Sequence, residues 1–193
     1  PIPDLNLRPA LPGYFDGISH CAAGDFNNDG FDDLAVSNPF FGEPQLDRGY
    51  VQLFPGSGKG LDPGSSLVRK GVTAFGSYGS NLACADFNGD GIDDLVVGSR
   101  FAEMLEGRIY IYLGGKGFSL GRADITLFVE NSQALYLEFV TDYNRDGVED
   151  LVCRTNPHWN AGITQYHLFA GGPVLSVRPM RSLETDQFTA QFY

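Results

Sequence analysis

Three acidic decapeptides hold most of the residues in this chain that could do chemistry. They are Asp25-Phe-Asn27-Asn-Asp29-Gly30-Phe31-Asp32-Asp33-Leu34, Asp86-Phe-Asn88-Gly-Asp90-Gly91-Ile92-Asp93-Asp94-Leu95 and Asp142-Tyr-Asn144-Arg-Asp146-Gly147-Val148-Glu149-Asp150-Leu151. Each sets oxygen donors at positions 1, 3 and 5, a glycine at 6 for a sharp turn and an aspartate at 9. Ca²⁺ takes about six to eight oxygen ligands and tolerates irregular geometry, so the pattern points to three Ca²⁺ sites. The expected side-chain ligands are Asp25, Asn27, Asp29 and Asp33 in the first loop, and Asp86, Asn88, Asp90 and Asp94 in the second. The third uses Asp142, Asn144, Asp146 and Asp150. Phe31, Ile92 and Val148 at position 7 are expected to offer backbone carbonyls. Position 8 (Asp32, Asp93, Glu149) is acidic each time, and the spacing leaves open whether it binds metal or orients a ligand. A metal-free Asx/Gly turn would explain one such loop; recurrence in register argues for metal.

The elements that position these donors are strands. An EF-hand would close with glutamate at position 12, where this chain has Val36, Val97 and Cys153. Instead the ninth residue runs into short apolar segments, Leu34-Ala-Val36, Leu95-Val-Val97 and Leu151-Val-Cys153, so each loop joins two strands. The loops start at residues 25, 86 and 142, that is, 61 and 56 residues apart. Downstream of each lies an alternating segment that ends in a glycine turn: Gly49 to Ser57, Gly107 to Gly115 and Gly162 to Gly172. A fourth apolar segment follows in each repeat (66–69, 125–129 and 181–184). Four strands per repeat without helical periodicity predict an all-β fold of β-propeller blades, each of four antiparallel strands, with the acidic loops between strands 1 and 2. The expected blades are 11–70, 72–130 and 133–185. Residues 1–9 read as the last strand of a preceding blade and 187–193 as the first of a following one.

Composition bounds the function classes. The chain has 193 residues, 42% of them hydrophobic, enough for one substantial core. Net charge is −11, yet each loop carries four acids, together 12 of the 24. Three Ca²⁺ would add +6 and leave about −5, so the acidity is mostly local and nucleic acid is not the expected partner. No apolar run is long enough for a membrane-spanning helix. Cys21, Cys84 and Cys153 sit in apolar strand patterns and read as small buried hydrophobes. The start at Pro1-Ile-Pro3 is what a mature or excised segment would show. Oxygen sites without the EF-hand glutamate would be weak, and millimolar extracellular Ca²⁺ would fill them; the expected location is extracellular or cell-surface.

The loop sequence, with Phe75-Gly76 before the second copy and Val36 to Pro39 after the first, resembles the FG-GAP repeat of integrin α subunits. The resemblance covers roughly residues 11–193. Its flanking parts are degenerate, with Tyr14-Phe15 and Asn131-Ser132 at FG positions and Ser37-Asn38-Pro39, Gly98-Ser99-Arg100 and Thr155-Asn156-Pro157 in place of Gly-Ala-Pro. Such proteins usually form closed seven-bladed propellers, which implies adhesion, lectin-like or enzyme-associated roles. Three repeats fall short of the four or more blades that closure needs. The array is therefore a piece of a longer protein, closes with other copies of itself, or caps itself with its terminal strands.

In an up-and-down blade the 2-3 loops lie opposite the Ca²⁺ loops, and all three contain aromatics. Phe41, Phe101, His158 and Trp159 are the candidate contacts for a protein partner, another copy or a glycan. No catalytic residue is expected: His20, His158 and His167 have no evident paired base or nucleophile. The expected function is a non-catalytic, calcium-stabilised binding or assembly module, an adhesion or scaffold protomer. The alternative is a lectin, or a propeller attached to a secreted hydrolase or lyase.

Overall fold

The alternating apolar segments become strands because each side chain has a core to enter on its own face of a sheet. A computed structural model describes residues 18–42, 46–102, 106–129, 133–156, 164–175 and 177–184. The strands are β1 (His20–Gly24), β2 (Asp33–Asn38), β3 (Tyr50–Phe54), β4 (Leu67–Lys70), β5 (Tyr78–Ala85), β6 (Asp94–Ser99), β7 (Arg108–Tyr112), β8 (Ile125–Leu127), β9 (Gln133–Thr141), β10 (Asp150–Asn156), β11 (Gln165–Phe169) and β12 (Arg181–Glu184). They form three four-stranded sheets in simple sequential order, β1-β2-β3-β4, β5-β6-β7-β8 and β9-β10-β11-β12, every neighbour antiparallel. No α-helix occurs among the described residues; Pro63–Ser65 makes a single 3₁₀ turn, started by the Asp62 carboxylate accepting from the Gly64 N–H.

The middle sheet is apolar on both faces. In β7, Ile109 and Ile111 enter one core with Ala85, Phe87, Val96 and Leu127, against Leu135, Leu137, Leu151, Cys153 and Phe169 of the third sheet. Tyr112 enters the other core with Tyr78, Leu95 and Val97, against Phe26, Ala35, Val51 and Leu53 of the first. A period of two thus sends alternate residues of one strand into two different cores. The first strands stand side by side, β1 against β5 and β5 against β9, so the sheets follow one another in space as in sequence.

Two equivalent close approaches set the sheet spacing. Gly49 before β3 meets Tyr78 of the next sheet in an isolated bridge, and a Cβ there would collide with the Tyr78 backbone. Gly107 before β7 lies in the same way against the Leu135 backbone. The expected terminal strands (1–9 and 187–193) lie outside the described residues.

Gly107→Ala should therefore destabilise the fold through overpacking by about 1–3 kcal/mol, read as a lower denaturation midpoint at an unchanged slope.

Candidate metal-binding loops

Each acidic loop joins the first two strands of a sheet, and its fold follows from short-range hydrogen bonds of its own carboxylates. The position-1 aspartate accepts from the backbone N–H groups of positions 5 and 6: Asp25 from Asp29 (2.9 Å) and Gly30 (2.8 Å), Asp86 from Asp90 (3.0 Å) and Gly91 (2.8 Å), Asp142 from Asp146 and Gly147 (3.1 Å each). The position-5 aspartate accepts from position 7, as Asp29 does from Phe31 at 3.0 Å, Asp90 from Ile92 and Asp146 from Val148 at 2.9 Å. Gly30, Gly91 and Gly147 sit at φ of 89°, 83° and 90°, the left-handed region that the turn requires.

Position 9 is a buried lock within its own sheet. Asp33 is 1% exposed, Asp94 and Asp150 0%. Each accepts from the glycine in the turn between strands 3 and 4: Asp33 from Gly56 and Asp94 from Gly114 at 2.8 Å, Asp150 from Gly171 at 3.0 Å. Asp94 and Asp150 also hold loop position 2, accepting from Phe87 at 2.9 Å and Tyr143 at 3.0 Å. Burial pushes the Asp94 carboxyl up to about 6, with repulsion from Asp90 adding to it. Asp33 is raised by burial and by the charges of Asp29 and Asp25.

Position 8 does something the spacing could not show: it bonds the preceding repeat. Asp93 accepts the Asp25 N–H at 2.9 Å across 68 residues, and Glu149 accepts the Asp86 N–H at 2.9 Å across 63. A second bond runs alongside, since Gly115 donates to the Phe26 carbonyl (2.9 Å) and Gly172 to the Phe87 carbonyl (2.8 Å). The aromatic at position 2 is driven into the cleft so formed; Phe26 and Phe87 are both 0% exposed, and Phe26 stacks on Phe118. The loops thus couple consecutive sheets. The carboxylate of Asp32, which has no preceding repeat among the described residues, makes no hydrogen bond there.

The donor set suits a hard cation. Every ligating atom on offer in these loops is oxygen, the charges of Asp25 and Asp29 bear on Asp33 and that of Asp90 on Asp94, and no ion pair to a loop carboxylate occurs among the described residues. Each loop turns its Asn amide nitrogen onto a carboxylate: Asn27 onto Asp33 at 3.2 Å, Asn88 onto Asp90 at 2.9 Å, Asn144 onto Asp146 at 2.8 Å. Among the described residues no three acidic, imidazole or thiol groups stand close enough to hold a metal by themselves. A site built on these loops would therefore need the Asn amide oxygen and main-chain carbonyls as further donors.

On the opposite end, Phe41 is buried (6% exposed) and packs edge-on against Tyr50 at 5.2 Å, with the Lys70 ammonium over its ring at 5.4 Å. Its neighbour Phe40 is the exposed one, at 51%. Phe41, a candidate contact in the sequence, is thus the inward ring, because the turn over Asn38, which accepts from both Phe40 and Phe41, aims the second ring inward. Phe101 is half-buried under the Arg100 guanidinium (4.9 Å). His158 and Trp159 lie outside the described residues. Of the cysteines, all free, Cys153 is buried as expected and Cys84 half-buried, but Cys21 is exposed.

Fold and loops define an all-β protein of serial four-stranded repeats, each carrying one acidic, oxygen-rich loop that also joins it to its neighbour. The FG-GAP repeat model matches residues 21–54, and the FG-GAP-like repeat model matches residues 86–153. The phosphatidylinositol-glycan-specific phospholipase D of Dictyostelium discoideum is 31% identical over 169 residues, 73% of this chain and 18% of that protein. The Bos taurus enzyme of the same name is 32% identical over 143 residues, 66% of this chain and 17% of its own length. Integrin alpha-E of Mus musculus is 35% identical over 103 residues, 50% of this chain and 9% of that protein. This chain belongs to the FG-GAP repeat, integrin-like family, and it spans less than a fifth of these relatives.

One polar constellation escaped the sequence reading. His167 in β11 lies between Thr155 Oγ1 (2.7 Å from Nε2) and Ser182 Oγ (2.8 Å from Nδ1), and joins β10, β11 and β12. Thr155↔Gln165 and His167↔Ser182 are cross-strand neighbours in these ladders, so strand register could have found it. With no carboxylate in the relay and the imidazole 2% exposed, the arrangement is a satisfied buried histidine. Burial lowers its pKa from 6.5 to about 4. Below pH 6.5 the unfolded chain takes a proton that the folded one refuses. Its stabilising effect is therefore complete above pH 6.5 and is lost as pH falls towards 4, on the order of 3 kcal/mol in all. His167→Gln should remove this component: urea melts at pH 7 and pH 4.5 should show a smaller acid loss for the variant than for the wild type.

Proposed function

We infer that these sheets are three blades of an FG-GAP β-propeller and that each acidic loop binds Ca²⁺, giving an extracellular, non-catalytic binding or assembly module. The observation that carries this is the double use of the loop. The same turn concentrates uncompensated carboxylates and bonds its sheet to the one before it, so a cation that fixes the loop also fixes the sheet-to-sheet joint. Asp25, Asn27, Asp29 and Asp33, with their counterparts at 86, 88, 90 and 94 and at 142, 144, 146 and 150, would hold the metal. Its chemistry there would be charge neutralisation and cross-linking. The Asp32 carboxylate, with no hydrogen-bond partner among the described residues, is placed to hold a further repeat, from the parent chain or another copy. Because phospholipase D relatives match as well as integrins, a propeller attached to a secreted hydrolase is the second reading. Substrate-turnover assays on glycolipids separate it from a scaffold.

Ca²⁺ should stabilise the fold by mass action, by about 2.7 kcal/mol per site at a hundredfold excess over Kd. Chelator should lower the Tm accordingly; a melting curve indifferent to chelator, with metal analysis confirming removal, contradicts the metal assignment. The two roles also separate by mutation. Asp90→Ala should weaken Ca²⁺ binding at the second loop, whereas Asp93→Ala should leave that affinity closer to wild type and lower stability by about 1–3 kcal/mol even in chelator. Calorimetry and denaturation of both variants check this, and a larger affinity loss for Asp93→Ala would place position 8 among the ligands.

A further inference from the structure

At the end of the molecule opposite the acidic loops, where β4 leads into β5, lies a groove whose charge is opposite to that of the whole. It comprises a cavity of about 200 Å³ and an adjoining, more open one of about 400 Å³, which share Arg48, Lys70, Gly71 and Val72. Arg69 faces the deeper part. Three cations therefore line one concavity in a chain of net charge −11.

None of the three has a carboxylate partner among the described residues. Their polar contacts are main-chain carbonyls: Arg48 donates to the Val72 carbonyl at 3.1 Å, and Arg69 donates to those of Leu120 (3.1 Å) and Gly121. Lys70 rests over the Phe41 ring. These contacts orient the cationic groups without neutralising them. Arg69 also bears electrostatically on the buried Tyr78–Tyr112 hydroxyl pair, whose oxygens are 2.7 Å apart. The hydroxyl-bearing residues Thr73, Ser99 and Tyr110 are also in the lining, with the Ser99 hydroxyl donating to the Gly76 carbonyl at 2.9 Å. Apolar surface adjoins it: Val72 is 77% exposed and Phe75 53%. Phe75 is held by its N–H on the Leu46 carbonyl.

We propose that this groove binds a short acidic oligosaccharide, the carboxylate or sulfate groups of which meet Arg48, Arg69 and Lys70. Unpaired, pre-oriented guanidinium and ammonium groups recognise oxyanions. The hydroxyl lining and apolar rim match a ligand that combines hydroxyls with apolar ring faces, and the combined volume falls within the roughly 300–1,000 Å³ of ligand pockets. The site lies apart from the acidic loops, so a metal held there would not touch the ligand.

The test is calorimetric titration of the full chain, with and without chelator, using a sulfated disaccharide, its unsulfated form, inorganic sulfate and a short acidic peptide. Saturable binding of the sulfated sugar, at least tenfold tighter than the neutral sugar or inorganic sulfate, is expected. Arg48→Gln combined with Lys70→Gln should weaken it at least tenfold while leaving the Tm unchanged, and Lys59→Gln, outside the groove, should have no effect. Four results would each overturn the proposal: no binding, sulfate alone binding as well as the sugar, tighter binding of the acidic peptide, or binding indifferent to the double substitution. If the double variant does not fold, Arg48→Lys replaces it, with the affinity loss expected to be smaller.

Discussion

Buried backbone N–H groups at the ends of strands must find acceptors, and in this protein adjacent acidic residues supply them. Positions 8 and 9 of each loop are neighbours in the chain, and so their side chains leave the backbone in opposite directions. The ninth enters its own sheet and holds the turn between strands 3 and 4, as Asp94 holds Gly114 at 2.8 Å. The eighth leaves it and holds the loop of the sheet before, as Asp93 holds the Asp25 N–H at 2.9 Å. Much else depends on this division. It fixes where Phe26 and Phe87 enter the clefts, and it brings Gly115 and Gly172 to the carbonyls they donate to.

Such an arrangement has an electrostatic cost that metal binding would offset. Carboxylates at positions 1, 5 and 9 crowd one turn with no ion pair to them among the described residues, and burial, with repulsion from Asp90 adding to it, pushes Asp94 to about 6. A buried charge is tolerated when paired or hydrogen-bonded. Here backbone N–H groups and one Asn amide do part of that work, and a divalent cation would do the rest. The loop is thus well made as a turn and incomplete as an ionic cluster.

The strands and loops were legible in the sequence because their causes are local: alternation of apolar residues, the Asx-rich turn and glycine at position 6. All three sheets follow from these signals in simple sequential order. What stayed hidden depends on contacts between residues far apart in the chain. The role of position 8 needs a partner 68 residues away. The inward turn of Phe41 and outward turn of Phe40 depend on a turn over Asn38 that alternation does not encode. The relay through His167 spans three strands, and the basic groove gathers cations from the approach to β3 and from β4 that look like ordinary surface charge when read singly. Cys21 sits in an apolar pattern yet faces outward, since β1 is the first strand of its sheet and Cys21 has no core on that side among the described residues.

The central claim is that position-8 acids join consecutive repeats, and amide hydrogen exchange tests it most directly. In the wild type the Asp25 and Asp86 amides should both be protected. In Asp93→Ala the Asp25 amide should lose its protection by at least tenfold while the Asp86 amide, held by Glu149, keeps its own. Equal protection of Asp25 in wild type and variant, or a loss shared by both amides, would contradict the account.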